Sequence, residues 1–406
     1  MKGIANRRLK IYNGQIITPH RIINGGTVLV DRGKIIEVSK DNIDVNDAIE
    51  INAHGKFISP GFIDIHVHGG GGHDFMDNNL DAFLEIADTH ARYGTTALTP
   101  TTLSCEHDDL LKTLELYELA DAKNESGAQF IGMHIEGPYF SMKQRGAQDA
   151  RYIRNPDPNE YKQILANTSV VKRWSAAPEL KGALELGAYL KSQDILAAIA
   201  HTDAIYEEVL EAYEKGYTHA THFYSCMSGV SRRNAFRYAG VIESAYLIDA
   251  MTVELIADGV HLPPPLLKLV YKIKGADRIA LVTDAMRGAG MPPGESILGS
   301  LHNGMRVIVE DGVAKLPDRS AFAGSVATCD SLVKNMIQLA DVPLLDAIKM
   351  MTITPAVIMK VDTNKGSLVK GKDADIVLFD KDIMIDTTII NGKVIYSKSS
   401  EYSPVV

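Results

Sequence analysis

The sequence is poor in the features that mark secreted, membrane-spanning and nucleic-acid-binding chains. Three cysteines occur in 406 residues, Cys105, Cys226 and Cys329, widely spaced and odd in number. They form no Cys-x-x-Cys pair and no disulfide framework, a pattern that fits a reducing cytoplasm. No apolar run approaches the roughly 18 residues that a membrane-spanning helix needs. The segment from Met1 to Lys10 carries charge with no apolar stretch behind it, so a signal peptide is not expected. Basic residues are outnumbered, 42 against 51 acidic, for a formal charge of −9. That balance argues against nucleic acid as a partner. It leaves room for a small anion, whose binding depends on a few local charges. No internal repeat or low-complexity segment stands out. A composition of 45% hydrophobic and 23% charged residues is globular, and excludes disordered, collagen-like and coiled-coil chains.

What is present is length and alternation. A chain of 406 residues exceeds one ordinary core and points to two or three domains, although an α/β barrel alone can use about 250 residues. Both ends read as short strands. The runs 9–12, 26–30 and 34–38 are separated by Asn-Gly, Gly-Gly and Asp-Arg-Gly, and 387–390 and 393–396 flank Asn391-Gly392, a strong hairpin signal. Residues 374–379 read as a further strand. Chain ends often lie close together, so one composite β domain from 1–60 and 356–406 is expected.

The middle, 61–355, alternates apolar strands with amphipathic helices. Eight strand candidates cover 62–67, 96–100, 130–135, 173–177, 195–200, 219–224, 253–257 and 278–283. Helices are expected over 80–93, 108–122, 204–215 and 264–274, the third with Asp203 as N-cap and Gly216 at its end. Eight such units predict an α/β fold of the (β/α)8 TIM-like barrel type. A doubly wound open sheet is the rival. It requires a glycine-rich phosphate loop, and Gly69-Gly-Gly-Gly72 lacks the G-x-G-x-x-G spacing. A β-hairpin insertion is expected near 300–317.

In a barrel, chemistry gathers at the C-terminal strand ends. Six of the thirteen histidines fall there: His66, His68, His134, His201, His222 and His261. His66 and His68 are two apart on a strand and so share a face. Glu136, His201 and His222 offer one carboxylate and two imidazoles, a set that suits zinc, iron, manganese or a similar divalent transition metal. Asp284 closes the last apolar run, where an acid costs stability unless it is used. Beside a metal it can take a proton from water and return it to a leaving group. His134 reads as an interior histidine and His219 as structural. His20, His54, His90, His107 and His302 read as incidental, and the cysteines as small hydrophobes.

These residues sit in motifs that resemble a known family. Pro60-Gly-Phe-Ile-Asp-Ile-His-Val-His-Gly69 and Lys370-Gly-Lys-Asp-Ala-Asp-Ile-Val-Leu-Phe379 look like the first-strand and returning β-sandwich signatures of the amidohydrolase superfamily. His134-Ile-Glu-Gly-Pro138, Ala200-His-Thr-Asp-Ala204, Thr221-His-Phe-Tyr224, Ile256-Ala-Asp-Gly-Val-His261, Val282-Thr-Asp-Ala285 and Ala323-Gly-Ser325 resemble its N-acetylglucosamine-6-phosphate deacetylase branch. The resemblance runs from about residue 9 to residue 396.

The resemblance implies a metal-dependent hydrolase that frees acetate from N-acetylglucosamine 6-phosphate, with the galactosamine epimer or another amidohydrolase reaction as the alternative. Glu136, His201 and His222 would hold the main ion and His66 and His68 a second, so one or two ions per subunit. Asp284 would be the catalytic acid/base. Arg233 would bind phosphate at a neighbouring subunit's site, implying a homodimer, with His261 as a sugar or phosphate contact. Ala147, Ser225, Cys226, Phe322, Ala323, Gly324 and Ser325 fall where substrate contacts are expected. Lys143, Arg145, Arg232, Arg233 and Arg237 would form a basic patch beside the site. The chain departs from the branch at Ser225-Cys226, where Asn-Ala is usual, at Gln148, where His is usual, and over 231–238. A lysine after strand four, used by dihydroorotase-like relatives, is missing: the strand is followed by Pro178-Glu179.

Overall fold

The computed structural model describes residues 8–398. The extreme ends of the expected composite domain, 1–7 and 399–406, and most of the charged segment before Lys10 lie outside the described residues.

Strands from both chain ends join one eight-stranded sheet. Phe57–Pro60 pairs antiparallel with Ile376–Phe379 and parallel with Arg8–Ile17, so the last fifty residues are stitched to the first sixty by backbone bonds. Asn391 and Gly392 adopt φ 49° and 73°, the left-handed pair that a tight hairpin between Ile385–Ile390 and Lys393–Ser397 requires. The sheet has its own apolar core, including Ile11, Ile16, Val28, Ile35, Ile58, Ile376 and Ile389.

Between the ends, parallel strands alternate with helices. Six of them, Met133–Glu136, Val171–Ala176, Leu196–Ile199, Tyr217–Ala220, Thr252–Leu255 and Ile279–Leu281, form one parallel sheet that curls as a half barrel. Phe62–Val67 and Thr95–Pro100 pair in parallel beside it. Isolated parallel bridges, Thr101 to His134 and Val67 to Ala285, connect the two groups at both margins. The strands are fully buried runs, as expected when helices cover the outer face.

The structure corrects several expected boundaries. The expected 130–135 strand is two pieces, Gln129–Phe130 and Met133–Glu136, because Gly132 turns at φ 112° between them. The expected 219–224 strand stops at Ala220, since His222 and Tyr224 adopt φ 28° and 79°. Asp203 does not cap the following helix, which is Tyr206–Lys215; its carboxylate is taken by Lys143 at 3.0 Å and Gln144 at 3.2 Å. Glu208 accepts the Ile205 amide instead, and Gly216 ends the helix at φ 116° as expected. The insertion is larger than a hairpin. Gly294–Leu298, Met305–Glu310, Val313–Lys315 and Phe322–Ser325 form a four-stranded antiparallel sheet around Met286, Val307, Ala314 and Ala323.

Candidate metal centre and active site

The first strand ends in His66 and His68, and both imidazoles turn to one point. Their Nε2 atoms are 3.2 Å apart. Glu136, closing Met133–Glu136, lies between them and a second pair, His201 and His222. Its Oε1 is 3.0 Å from His222 Nε2 and 3.4 Å from His201 Nε2, while its Oε2 is 3.5 Å from His68 Nε2. The carboxylate thus belongs to two groups of three donors, His66-His68-Glu136 and Glu136-His201-His222, each within 4.8 Å and all buried. Asp284 Oδ1 stands 3.2 Å from His68 Nε2 and 3.5 Å from His66 Nε2. All six residues that sequence reasoning placed in one centre meet there.

His201, His222 and Asp284 have left-handed backbones, φ 45°, 28° and 48°. Such conformations cost side-chain-bearing residues about 1–3 kcal/mol and gather at functional sites. Each sits just past a strand end, where the turned backbone redirects the side chain across the mouth.

The donor chemistry fits a cation. His201 Nδ1 donates to the Gln144 carbonyl at 2.8 Å, so its Nε2 presents a lone pair. His66 Nδ1 donates to the Glu254 carboxylate at 3.1 Å, with the same result. Lone pairs and carboxylate oxygens therefore converge on one space. Protons are what the ion-free groups take. Burial opposes charge on His68, but the Asp284 hydrogen bond and the Glu136 and Asp284 charges outweigh it and lift the imidazole to about 9. His201 is likewise buried, yet rises well above the usual histidine range beside Cys226 and Glu136. Glu136, despite burial, is held well below the carboxylate range by His201 and His222. Asp284 is buried too, but the imidazoles of His66 and His68 beside it keep it below its ordinary value and ionised.

Beneath the centre lies a polar layer that sequence reasoning missed. Arg173 and Glu254 are both fully buried and ion-paired. Arg173 also donates to Thr221 Oγ1 at 2.8 Å and to the Ile65 carbonyl at 3.1 Å. Ser175 joins Thr221 at 2.9 Å and His134 at 2.7 Å. His134, read as interior, is therefore a member of this layer, and burial and Arg173 depress its basicity. His219 bonds Thr252 at 2.7 Å and lies 3.3 Å from Glu254 Oε1, so it borders this layer without joining the donor groups. Charged residues inside the apolar runs 171–176 and 252–257 were the available signal.

Gln148, which stands where His is usual in the resembled branch, is bonded to the centre. Its amide donates to Glu136 Oε2 at 2.8 Å and its oxygen accepts the Ser104 amide at 2.9 Å. Cys226, expected to be inert among the cysteines, has its thiol against His201, and a side chain at Gly146 would fall 2.6 Å from its sulfur. His90 is also not incidental: it is buried and bonds the Gly69 carbonyl at 2.9 Å.

The remaining expected contacts surround the centre unequally. Ser325 donates its amide to the Asp284 carbonyl at 2.8 Å, and a side chain at Gly324 would meet that carbonyl at 3.0 Å. Ala323 is buried, and Phe322 lies with its ring 4.7 Å from His261. His261 Nδ1 donates to Asp258 at 2.6 Å, leaving Nε2 as an acceptor. Ala147 follows Gly146 beside Cys226, and Ser225 lies in the turn after His222. Arg233 is apart. It is exposed on a two-stranded hairpin, Ser231–Arg233 with Phe236–Tyr238, its guanidinium 5.4 Å from the Tyr238 ring. The expected basic patch is weaker than its residue count, because Asp203 neutralises Lys143 and Arg145 is bonded to the Gln148 carbonyl.

Comparison with known proteins agrees with this geometry. An N-acetylglucosamine-6-phosphate deacetylase of Lysinibacillus sphaericus is 34% identical over 89% of this chain and 91% of its own. An N-acetylgalactosamine-6-phosphate deacetylase of Escherichia coli O157:H7 is 32% identical over 83% and 87%. The solved structure of a mutant Mycobacterium smegmatis N-acetyl-D-glucosamine-6-phosphate deacetylase, in complex with N-acetyl-D-glucosamine-6-phosphate, superposes with a TM-score of 0.88 at 26% identity, covering 96% of this chain and 100% of that one. Residues 57–395 match the amidohydrolase family, and the chain belongs to it.

Proposed function

We propose that the chain is a metal-dependent deacetylase that hydrolyses N-acetyl-D-glucosamine 6-phosphate to D-glucosamine 6-phosphate and acetate. The observation that carries the reading is the meeting of Glu136 with four imidazoles and Asp284 at one barrel mouth, in a chain whose relatives bear that name. Glu136, His201 and His222 would hold one divalent ion, and His66, His68 and Glu136 a second. When bound, such an ion polarises the acetyl oxygen and acidifies water.

The chain's own groups account for the proton. Asp284 is ionised, and its Oδ1 stands beside both imidazoles of the first strand. It takes a proton from the attacking water as the oxygen–carbon bond forms. It returns that proton to the sugar nitrogen as the carbon–nitrogen bond breaks, because an amide anion is too basic to leave. The Asp258 hydrogen bond fixes the His261 ring so that Nε2 faces outward to a sugar hydroxyl. Arg233, exposed on its hairpin, would hold the phosphate of a neighbouring subunit's substrate in a homodimer. Ala147, Ser225, Cys226 and residues 322–325 line the approach.

The same reading extends to the fold. We take the two parallel groups as one (β/α)8 barrel over 61–355, supported by the bridges at both margins, and the terminal sheet as a small β-sandwich domain. A cytoplasmic location is consistent with the free cysteines.

One assay tests the reaction: acetate release from the gluco and galacto N-acetyl epimers, each with and without the 6-phosphate, after reconstitution with zinc, iron or manganese. Fastest release from the phosphorylated gluco compound is expected. Faster galacto turnover would transfer the assignment to the epimer, and equal rates without phosphate would remove the phosphate contacts.

A further inference from the structure

The buried Arg173–Glu254 pair sits directly under the donors without touching the substrate space. Burying such a pair carries a desolvation cost that apolar residues of similar volume would avoid. Its geometry indicates what it does. Glu254 Oε2 lies 3.1 Å from His66 Nδ1 and accepts the His222 amide at 2.9 Å. A carboxylate oxygen only accepts, so the His66 proton must reside on Nδ1. The lone pair is then on Nε2, the atom that faces His68, Asp284 and Glu136 at 3.2, 3.5 and 3.7 Å. Arg173 engages the other oxygen, Oε1, and is itself pinned by Thr221 and the Ile65 carbonyl. The carboxylate therefore has a fixed orientation.

We propose that Glu254, oriented by Arg173, is a positioning residue that sets the His66 tautomer and thereby builds the donor site of the first strand. The proposal rests on the ion-site reading of His66, His68 and Glu136. Glu254 reaches the second donor group only through the His222 backbone amide, and the side chains there have other supports, the Gln144 carbonyl for His201 and the Gln148 amide for Glu136. Loss of the Glu254 carboxylate should therefore weaken the two sites unequally.

Glu254→Gln makes the test sharp, because the amide is frustrated in either orientation. With its oxygen toward His66, its NH2 meets the Arg173 guanidinium, donor against donor. With its oxygen toward Arg173, the charge-assisted choice, its NH2 faces His66 and drives the imidazole proton to Nε2.

Two readouts are needed. Ion equivalents per subunit, measured by elemental analysis under chelator competition, are compared among wild type, Glu254→Gln, His66→Ala and Ser175→Ala. The ion-free proteins, labelled with 15N-histidine, report the tautomer by NMR at a pH high enough for the His66 ring to carry a single proton. In Glu254→Gln the equivalent that His66→Ala abolishes should weaken by roughly 10–100-fold. The other equivalent should change far less, and the His66 signal should move from Nδ1–H to Nε2–H. Ser175→Ala, which disturbs the same layer at His134 and Thr221 rather than at Glu254 or His66, should leave both readouts at wild type. An unchanged His66 tautomer in Glu254→Gln overturns the proposal. So does a loss of both equivalents in step that Ser175→Ala reproduces. If Glu254→Gln does not fold, Glu254→Asp decides. It keeps the charge opposite Arg173 but is one methylene short, so a selectively weakened first-strand equivalent supports the proposal and wild-type affinity overturns it. If His66→Ala loses no ion while Glu254→Gln still switches the tautomer, the ion-site reading falls and the positioning role stands.

Discussion

At the scale of single residues, the centre is a competition between protons and metal for the same lone pairs. His68 is lifted to about 9 in the ion-free protein, so near neutrality it is protonated and an ion must displace that proton. Metal affinity should therefore rise with pH until about 9, and calorimetry in buffers of different ionisation enthalpy should show proton release on binding. Binding without proton release at pH 7 would contradict the contacts of His68. The sign for the ion-free protein is opposite. The raised imidazole contributes stability that is full below the ordinary histidine value and is lost as pH rises through about 9. Gln148 gives a second prediction. Its two bonds tie Glu136 Oε2 to the Ser104 amide, so Gln148→Ala should lower metal affinity by roughly 10-fold or more. Equilibrium dialysis reads it, and unchanged affinity would show that these bonds do not support the donor role of Glu136. The types and spacing of His66, His68, Glu136, His201, His222 and Asp284 made them legible in the sequence. The pairing of Arg173 with Glu254 was not legible, because it joins strands 81 residues apart and no local pattern encodes it.

At the scale of elements, hydrophobic periodicity found the parallel strands of the middle and placed the helix Pro264–Lys274 to the residue. It overran the strands that end in the site. Residues 219–224 look continuous because Phe223 and Tyr224 are apolar, yet the backbone leaves the strand at Ala220 and turns left-handed at His222. The chemistry of the site overrides strand propensity there. Asp203 failed as a cap for a related reason: its carboxylate is held by Lys143 and Gln144, so Glu208 supplies the cap. Gly216 shows the opposite, a local signal that tertiary structure keeps. At φ 116°, with Lys191 Cβ 2.9 Å from where a side chain would start, Gly216→Ala should cost about 1–3 kcal/mol. Denaturant unfolding measures it. A neutral result would mean that the end of Tyr206–Lys215 relaxes freely.

At the scale of the whole molecule, the two chain ends form one sheet whose order places Ile376–Phe379 between Phe57–Pro60 and Ile385–Ile390. Truncation before residue 376 should expose the edge of Phe57–Pro60 and yield aggregated protein, read by light scattering; a soluble, cooperatively unfolding product would show the middle of the chain independent of that sheet. The acidic charge of −9 also has a local exception. Arg232, Arg233 and Arg237 project on an exposed hairpin with Phe236 at 72% exposure, the surface that the proposed dimer would use. Arg233→Ala should raise KM for the phosphorylated sugar by tenfold or more, about the 1.4 kcal/mol of one charge-assisted contact, with kcat less affected. An unchanged KM would remove both the phosphate role and the dimer inference. The central claim is that this centre deacetylates an amino-sugar phosphate through Asp284. Its most direct test is acetate release from N-acetyl-D-glucosamine 6-phosphate by reconstituted wild type and Asp284→Asn, with metal content measured on the same samples. Turnover by wild type, and a loss of roughly 100-fold or more in the variant at equal metal content, is the expected result. Near-wild-type acetate release by Asp284→Asn, or none by the metal-loaded wild type, would contradict it.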